Sequence, residues 1–174
     1  GKFSKDGKKF FVLDGKGSKG KTTGMSEVNV VDFSLDGTKE HRISNKISTG
    51  ENTGSFALSP DGKLLVTVNA GKSVTAWTAG GVATGSSLTL FRVGGDVGLT
   101  KVMDYPFEGI YPQSVVFDKD GANIAVSVFE YADFGNTHGA VEFWSVSKGE
   151  FPELKKQKAK INVMKGAHTL RAIL

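Results

Sequence analysis

The 174-residue sequence contains no cysteine. That excludes disulfides, thiol catalysis and cysteine-ligated zinc, and it leaves the compartment open, because cysteine-free chains occur in all of them. Proline is scarce, at four residues. No apolar run approaches the roughly 20 residues needed to span a bilayer, so the sequence reads as a soluble chain with no membrane span. Histidine occurs only at His41, His138 and His168, which share no metal-ligand spacing. No dedicated metal site is therefore expected, and no motif calls for another cofactor. The opening residues, Gly1-Lys2-Phe3-Ser4, carry no signal-peptide pattern and lie inside a repeated phrase, so the natural N-terminus is expected to lie upstream.

Glycine and phenylalanine are plentiful instead, at 23 and 12 residues in a chain that is 39% hydrophobic. That is enough apolar material for a core, and much glycine with little proline suits strands joined by tight turns. The net charge of +4 is uneven: seven lysines in residues 1–25 face only Asp6 and Asp14, and five lysines in residues 155–165 face no acid. Such ends are candidate polyanion surfaces. Solvated lysines on loops and edge strands, where they discourage edge-to-edge pairing, are the simpler reading.

One phrase occurs three times: Phe3 to Asp14, Phe56 to Asn69 and Val115 to Val128 each join two apolar runs through an Asp-Gly pair. This is the sequence form of a β-hairpin. From Asp6 to Asp61 is 55 residues and from Asp61 to Asp120 is 59, a period that fits a four-stranded propeller blade with generous loops. The expected fold is all-β: a β-propeller segment of about three four-stranded antiparallel blades, near residues 5–59, 60–118 and 119–174, forming part of a larger ring of about four to eight blades. Alternation places inner strands at 1–4, 55–59 and 114–118, second strands at 9–14, 63–69 and 123–129, third strands at 27–33, 88–93 and 140–146, and polar fourth strands at 40–47, 99–104 and 154–163. The run from Ala167 to Leu174 reads as one more inner strand. An open arc exposes two apolar blade faces, so the expected partners are the remaining blades of a propeller or a second copy of the chain.

The connections from second to third strand read as long loops: Gly15 to Ser26, Ala70 to Ser87 and Glu130 to Gly139. In a blade meander they share a rim with the fourth-to-first connections, and long loops carry function. On that rim, counting from the glycine before each inner strand puts Asn52, Tyr111 and His168 in one slot. The ends of second strands add Asp14, Asn69 and Glu130, and Asp133 and His138 lie beside them. Glu130 and His168 are the candidates to share a water for general-base hydrolysis, with Arg171 or Gln113 steadying an oxyanion. Asn52, Asn69, Trp77, Tyr111, Gln113 and His138 are the candidate ligand-binding residues. Packing is the simpler role for Trp77, as it is for Phe143 and Trp144 in an alternating run. No nucleophile signature supports a covalent mechanism.

Two other motifs fail on context. Gly15-Lys-Gly-Ser-Lys-Gly-Lys21-Thr22 has P-loop spacing, but the residues after it alternate like a strand where a P-loop needs a helix. Asp32-Phe-Ser34-Leu-Asp36-Gly37 imitates half of a calcium loop, yet its twelfth position is Ile43, which leaves the cage open.

Gly54-Ser-Phe-Ala-Leu-Ser-Pro-Asp-Gly-Lys-Leu-Leu-Val-Thr-Val-Asn-Ala-Gly71, with Ser48-Thr-Gly before it and Leu88 to Val93 after it, resembles the lactonase-like seven-bladed propellers, the group of 6-phosphogluconolactonase and carboxymuconate cyclase relatives. Gly109 to Glu130 repeats the pattern. The resemblance implies a ring of seven blades, a pocket in the central channel, His, Glu and Arg residues contributed by different blades, and a secreted or periplasmic location. A ligand-binding or scaffolding module acting through the long-loop rim is the first expectation, and a lactone hydrolase or cycloisomerase the second.

Overall fold

The computed structural model describes residues 1–15, 24–34, 36–74, 85–94, 98–133 and 136–172. Its strands form three four-stranded antiparallel meanders. The first sheet contains β1 (Lys2–Phe3), β2 (Lys9–Gly15), β3 (Met25–Asp32) and β4 (Arg42–Glu51). The second contains β5 (Thr53–Leu58), β6 (Leu64–Asn69), β7 (Ser86–Val93) and β8 (Leu99–Phe107). The third contains β9 (Ile110–Phe117), β10 (Asn123–Asp133), β11 (Asn136–Ser147) and β12 (Glu153–Val163).

The repeated phrase forms the hairpin between the first two strands of each sheet, and its chemistry explains why. Gly7, Gly62 and Gly121 adopt φ of 71°, 74° and 63°, the left-handed conformation such a turn requires and glycine accepts without strain. Each glycine amide donates to the carbonyl three residues back, on Ser4, Ser59 and Asp118. In the first two turns the serine hydroxyl donates to the aspartate, Ser4 to Asp6 and Ser59 to Asp61, at 2.6 Å in both. The third turn uses Asp118 instead, which accepts from the Ala122 amide at 2.8 Å and the Asn123 side chain at 2.7 Å.

These bonds hold turn carboxylates below their ordinary range. Burial raises Asp61 and Asp118, but hydrogen bonds from Ser59 and Lys63, and from Asn123, Ala122 and Gly121, outweigh it. A depressed carboxylate contributes stability above its unfolded value, near 3.8 here, and loses it as the pH falls through the folded value. Melting temperatures between pH 6 and pH 2 are expected to fall below about pH 4, and less steeply in an Asp61→Asn/Asp118→Asn variant. An identical acid slope in that variant would refute the assignment.

The middle sheet carries the core. Every residue of β6 is buried, because alternate side chains meet different neighbours. Leu65 packs with Phe56, Phe91 and Leu99 against Phe11, Val28 and Val30 of the first sheet. Leu64, Val66 and Val68 pack with Leu88 and Leu90 against Val115, Ile124, Val126 and Val128 of the third. The apolar character of a second strand on both faces is thus the mark of a sheet covered on both sides.

The outer sheets are covered on one side. On the open face of the first, Phe3, Phe10, Val31 and Ile43 stand in one cross-strand row, with Phe3 and Ile43 just over half exposed. On the open face of the third, the row is Ser114, Ser127, Val141 and Ile161. Residues 165–172 cross this second face: the Ser127 hydroxyl donates to the His168 carbonyl, and the Leu170 amide donates to the Ser114 hydroxyl.

One expected loop is a strand. Within the expected loop from Glu130 to Gly139, the described residues up to Asp133 and from Asn136 on continue the hairpin, with Tyr131 opposite His138 and Asp133 opposite Asn136 after a bulge that follows Val128.

Candidate functional site

The sheets meet at their inner strands, and the connections β4–β5 and β8–β9 turn sharply to start them. Two non-glycine residues have positive φ among the described residues: Asn52 at 52° and Tyr111 at 53°. They are 59 positions apart, the spacing of Asp61 and Asp120, so they occupy the same place in consecutive blades. Asparagine tolerates this backbone region, but a bulky aromatic residue pays strain to adopt it, and such strain persists where the surroundings over-determine it. The Asn52 amide donates to the Gly24 carbonyl at 3.1 Å, and its side-chain amide donates to the Gly71 carbonyl at 2.9 Å. Gly71 is itself left-handed, and a Cβ there would collide with the Gly85 carbonyl.

Between these turns lies a cleft of about 290 Å³ on the expected rim. Asn52, Thr53, Tyr111, Gln113 and Ser26 line it, with Gly15, Gly24 and Val74 at the ends of the second-to-third connections. Its described lining offers hydroxyls, amides and one aromatic ring, and no charged side chain. The Gln113 side chain donates to the Tyr111 carbonyl at 3.2 Å, and the Tyr111 ring meets Phe129 edge-on at 5.9 Å. A groove of this kind suits an uncharged, hydroxyl-bearing ligand.

A larger cleft of about 890 Å³ lies beside the first sheet's β3–β4 turn, lined by Asp32, Phe33, Asp36, Lys39 and Arg42 among others. Two of its carboxylates, Asp32 and Asp36, are already engaged. Asp32 pairs with Lys9 at 2.9 Å and Arg42 at 3.5 Å. The Thr38 amide and hydroxyl and the Ser34 hydroxyl hold Asp36 down at about 2. This is the half-calcium segment, and its acids serve the turn and neighbouring cations.

The sequence-derived candidates divide. Asn52, Tyr111 and Gln113 come together in the smaller cleft. Asn69 is 1% exposed and its capacity is spent in the sheet: its carbonyl oxygen accepts from Thr53 and Thr67, and its amide donates to Ser87 and Thr89. Glu130 is buried and ion-paired with Lys165 at 2.8 Å. His168 is exposed, with its imidazole 3.0 Å from the Thr169 hydroxyl, and Arg171 is exposed nearby on the C-terminal segment. No described hydrogen bond or ion pair joins Glu130, His168 and Arg171. His138 stacks on Tyr131 at 5.9 Å, away from the cleft lining. Asp14 is exposed at the end of β2. Trp144 is an inter-sheet wedge, edge-on to Phe107 at 5.9 Å and to Tyr105 at 6.4 Å. Trp77 and the P-loop-like stretch from Lys16 to Thr22 lie outside the described residues; the chain after that stretch enters strand β3, not a helix.

No protein-family model matches the sequence, and no curated protein matches it. Solved structures do match in shape. A candidate 6-phosphogluconolactonase from Bacteroides fragilis superposes with a TM-score of 0.66 at 21% identity, over 95% of this chain and 39% of that one. A Lactobacillus plantarum protein gives 0.67 at 18% identity, over 95% and 42%. The periplasmic gluconolactonase of Pseudomonas aeruginosa gives 0.61 at 17% identity, over 97% and 40%. The chain spans about two fifths of the length of each of these proteins, and it has the fold of a run of blades from lactonase-like propellers.

Proposed function

We propose that this chain supplies consecutive blades of a lactone-hydrolysing propeller and that the cleft between Asn52 and Tyr111 holds the hydroxylated ring of a sugar lactone. The observation that carries the reading is the repeated left-handed residue at the head of two inner strands, with both copies lining one neutral cleft. Strain concentrates where geometry matters to function. A sugar lactone presents hydroxyls and a carbonyl, which the Asn52 and Gln113 side-chain amides complement. Two proteins of similar fold bear lactonase names.

The cleft binds and orients, and hydrolysis also needs a base. Glu130 is the candidate in this chain, with His168 and Arg171 on the segment that crosses the third sheet. The remaining blades cover the rows Phe3–Phe10–Val31–Ile43 and Val141–Ile161 and close the channel around the cleft.

The test is a hydrolysis assay of the full-length protein on δ-gluconolactone, corrected for spontaneous opening, with the charged 6-phosphogluconolactone as the disfavoured comparison. Turnover is expected, and Gln113→Ala is expected to raise KM by about tenfold with kcat largely kept, as loss of a uniform binding contact does. Binding of lactone without turnover would leave a binding module. Neither binding nor turnover would overturn the reading.

A further inference from the structure

We infer that Ser73 is a positioning residue: with Ser86 it forms a buried latch that holds Tyr111 in its left-handed conformation and so keeps its ring in the lining of the cleft. The inference rests on the cleft being the ligand site. Ser73 and Ser86 are both fully buried, and their hydroxyls lie 3.2 Å apart. The Ser73 hydroxyl donates to the Ala70 carbonyl at 2.5 Å, which commits its only proton. A lone pair is left for the Tyr111 amide, which donates to it at 2.9 Å. The Ser86 hydroxyl donates to the Gly109 carbonyl at 2.8 Å, two residues before Tyr111. The second sheet thus grips the backbone on both sides of Gly109–Tyr111 through two side chains.

The equivalent junction one blade earlier makes the assignment sharper. There the strained residue is Asn52, a type that tolerates positive φ, and its amide goes to a backbone carbonyl, that of Gly24. The serine at that junction, Ser26, accepts the next amide along, from Thr53 at 3.1 Å. Only at the second junction does a bulky residue take the strained place, and there its own amide is received by a buried side-chain oxygen. Backbone bonds suffice to seat an inner strand, so the added hydroxyl pair answers the need to hold a tyrosine where it would not otherwise stay. Without the Ser73 oxygen, the part-buried Tyr111 amide loses this acceptor, and the residue relaxes towards extended backbone, which withdraws its ring from the cleft.

The full-length protein is tested as Ser73→Ala, Tyr111→Gly and the double variant. Crystal structures read the Tyr111 backbone, and δ-gluconolactone is the binding probe. In Ser73→Ala, Tyr111 is expected to leave positive φ and lactone affinity to fall at least about tenfold. In the Tyr111→Gly background, where no side chain is left to position, adding Ser73→Ala is expected to change affinity less than about twofold. A tyrosine still at positive φ in Ser73→Ala overturns the latch, as does full lactone affinity. If the wild type binds no δ-gluconolactone, the proposed function fails, and the Tyr111 backbone in Ser73→Ala still decides whether the latch exists.

Discussion

Phe91→Ala is expected to destabilise the protein by about 3–5 kcal/mol, the range for deleting a buried aromatic ring, whereas Phe3→Ala in this isolated chain is expected to cost less than about 1 kcal/mol. Both are phenylalanines in four-stranded sheets, and the difference lies in what covers them. Phe91 is fully buried where the second sheet meets the first, against Phe11, Val28, Val30 and Leu65, and close-packed neighbours cannot refill the void. Phe3 is 52% exposed and touches Phe10 and Phe33 on the open face of the first sheet, with ring centroids at 4.6 Å and 5.1 Å. Urea denaturation of each variant gives both numbers. If further blades cover that face, the same Phe3→Ala change in the full-length protein approaches the cost of Phe91→Ala. Equal, small losses at Phe3 in both forms would mean that the face stays open and would remove the larger ring from the proposal.

The backbone plan was legible because its signals are local. The short continuous apolar run in Leu64–Asn69 and the Asp-Gly turns place second strands and hairpins directly, and those features do not depend on distant partners. Where meaning depends on what packs nearby, reading along the chain fell short. Glu130 to Gly139 has the composition of a loop, yet after a bulge its described residues on both sides, Tyr131–Asp133 and Asn136–His138, stay paired as strands. Asn69 at a strand end has the look of a ligand residue, and the four hydroxyls that satisfy it come from positions as distant as Thr53 and Thr89. The third phrase shares the Asp-Gly pair with the others, but Asp118 stands where they have Ser4 and Ser59, and its carboxylate, not that of Asp120, accepts the turn's hydrogen bonds. The repeat aligns Asn52, Tyr111 and His168, and of these the first two line one cleft while His168 lies on the segment that crosses the third sheet. Ser73 and Ser86 carry no such signal, since a serine near a loop is ordinary until its burial is known.

Lys156→Ala is expected to cost more than Glu142→Ala, by about 2 kcal/mol or more, although the two residues form one ion pair. Glu142 is 1% exposed between the second and third sheets. One of its oxygens accepts from the Tyr131 hydroxyl and meets the Lys156 ammonium at 2.6 Å. Its other oxygen, the Trp144 indole nitrogen and the Tyr105 hydroxyl are buried without a hydrogen-bond partner among the described residues. Burial, and then the Glu142 carboxylate, push the Tyr131 phenol well above its ordinary ionisation range, so it remains a donor and cannot supply the missing positive charge. Removing Glu142 leaves a lysine whose side chain is 39% exposed and can turn to water. Removing Lys156 strands a carboxylate that cannot reach water, and the desolvation cost then falls on the folded state with nothing to offset it. The same lysine lies 5.7 Å from the Phe107 ring centroid, so its loss also uncovers an inter-sheet aromatic contact. Chemical denaturation of Lys156→Ala, Glu142→Gln and the double variant separates these terms: stability lost in Lys156→Ala is expected to be largely recovered on adding Glu142→Gln, which keeps the shape and removes the charge. A double variant no more stable than Lys156→Ala would show that packing, and not the stranded charge, sets the cost at this junction.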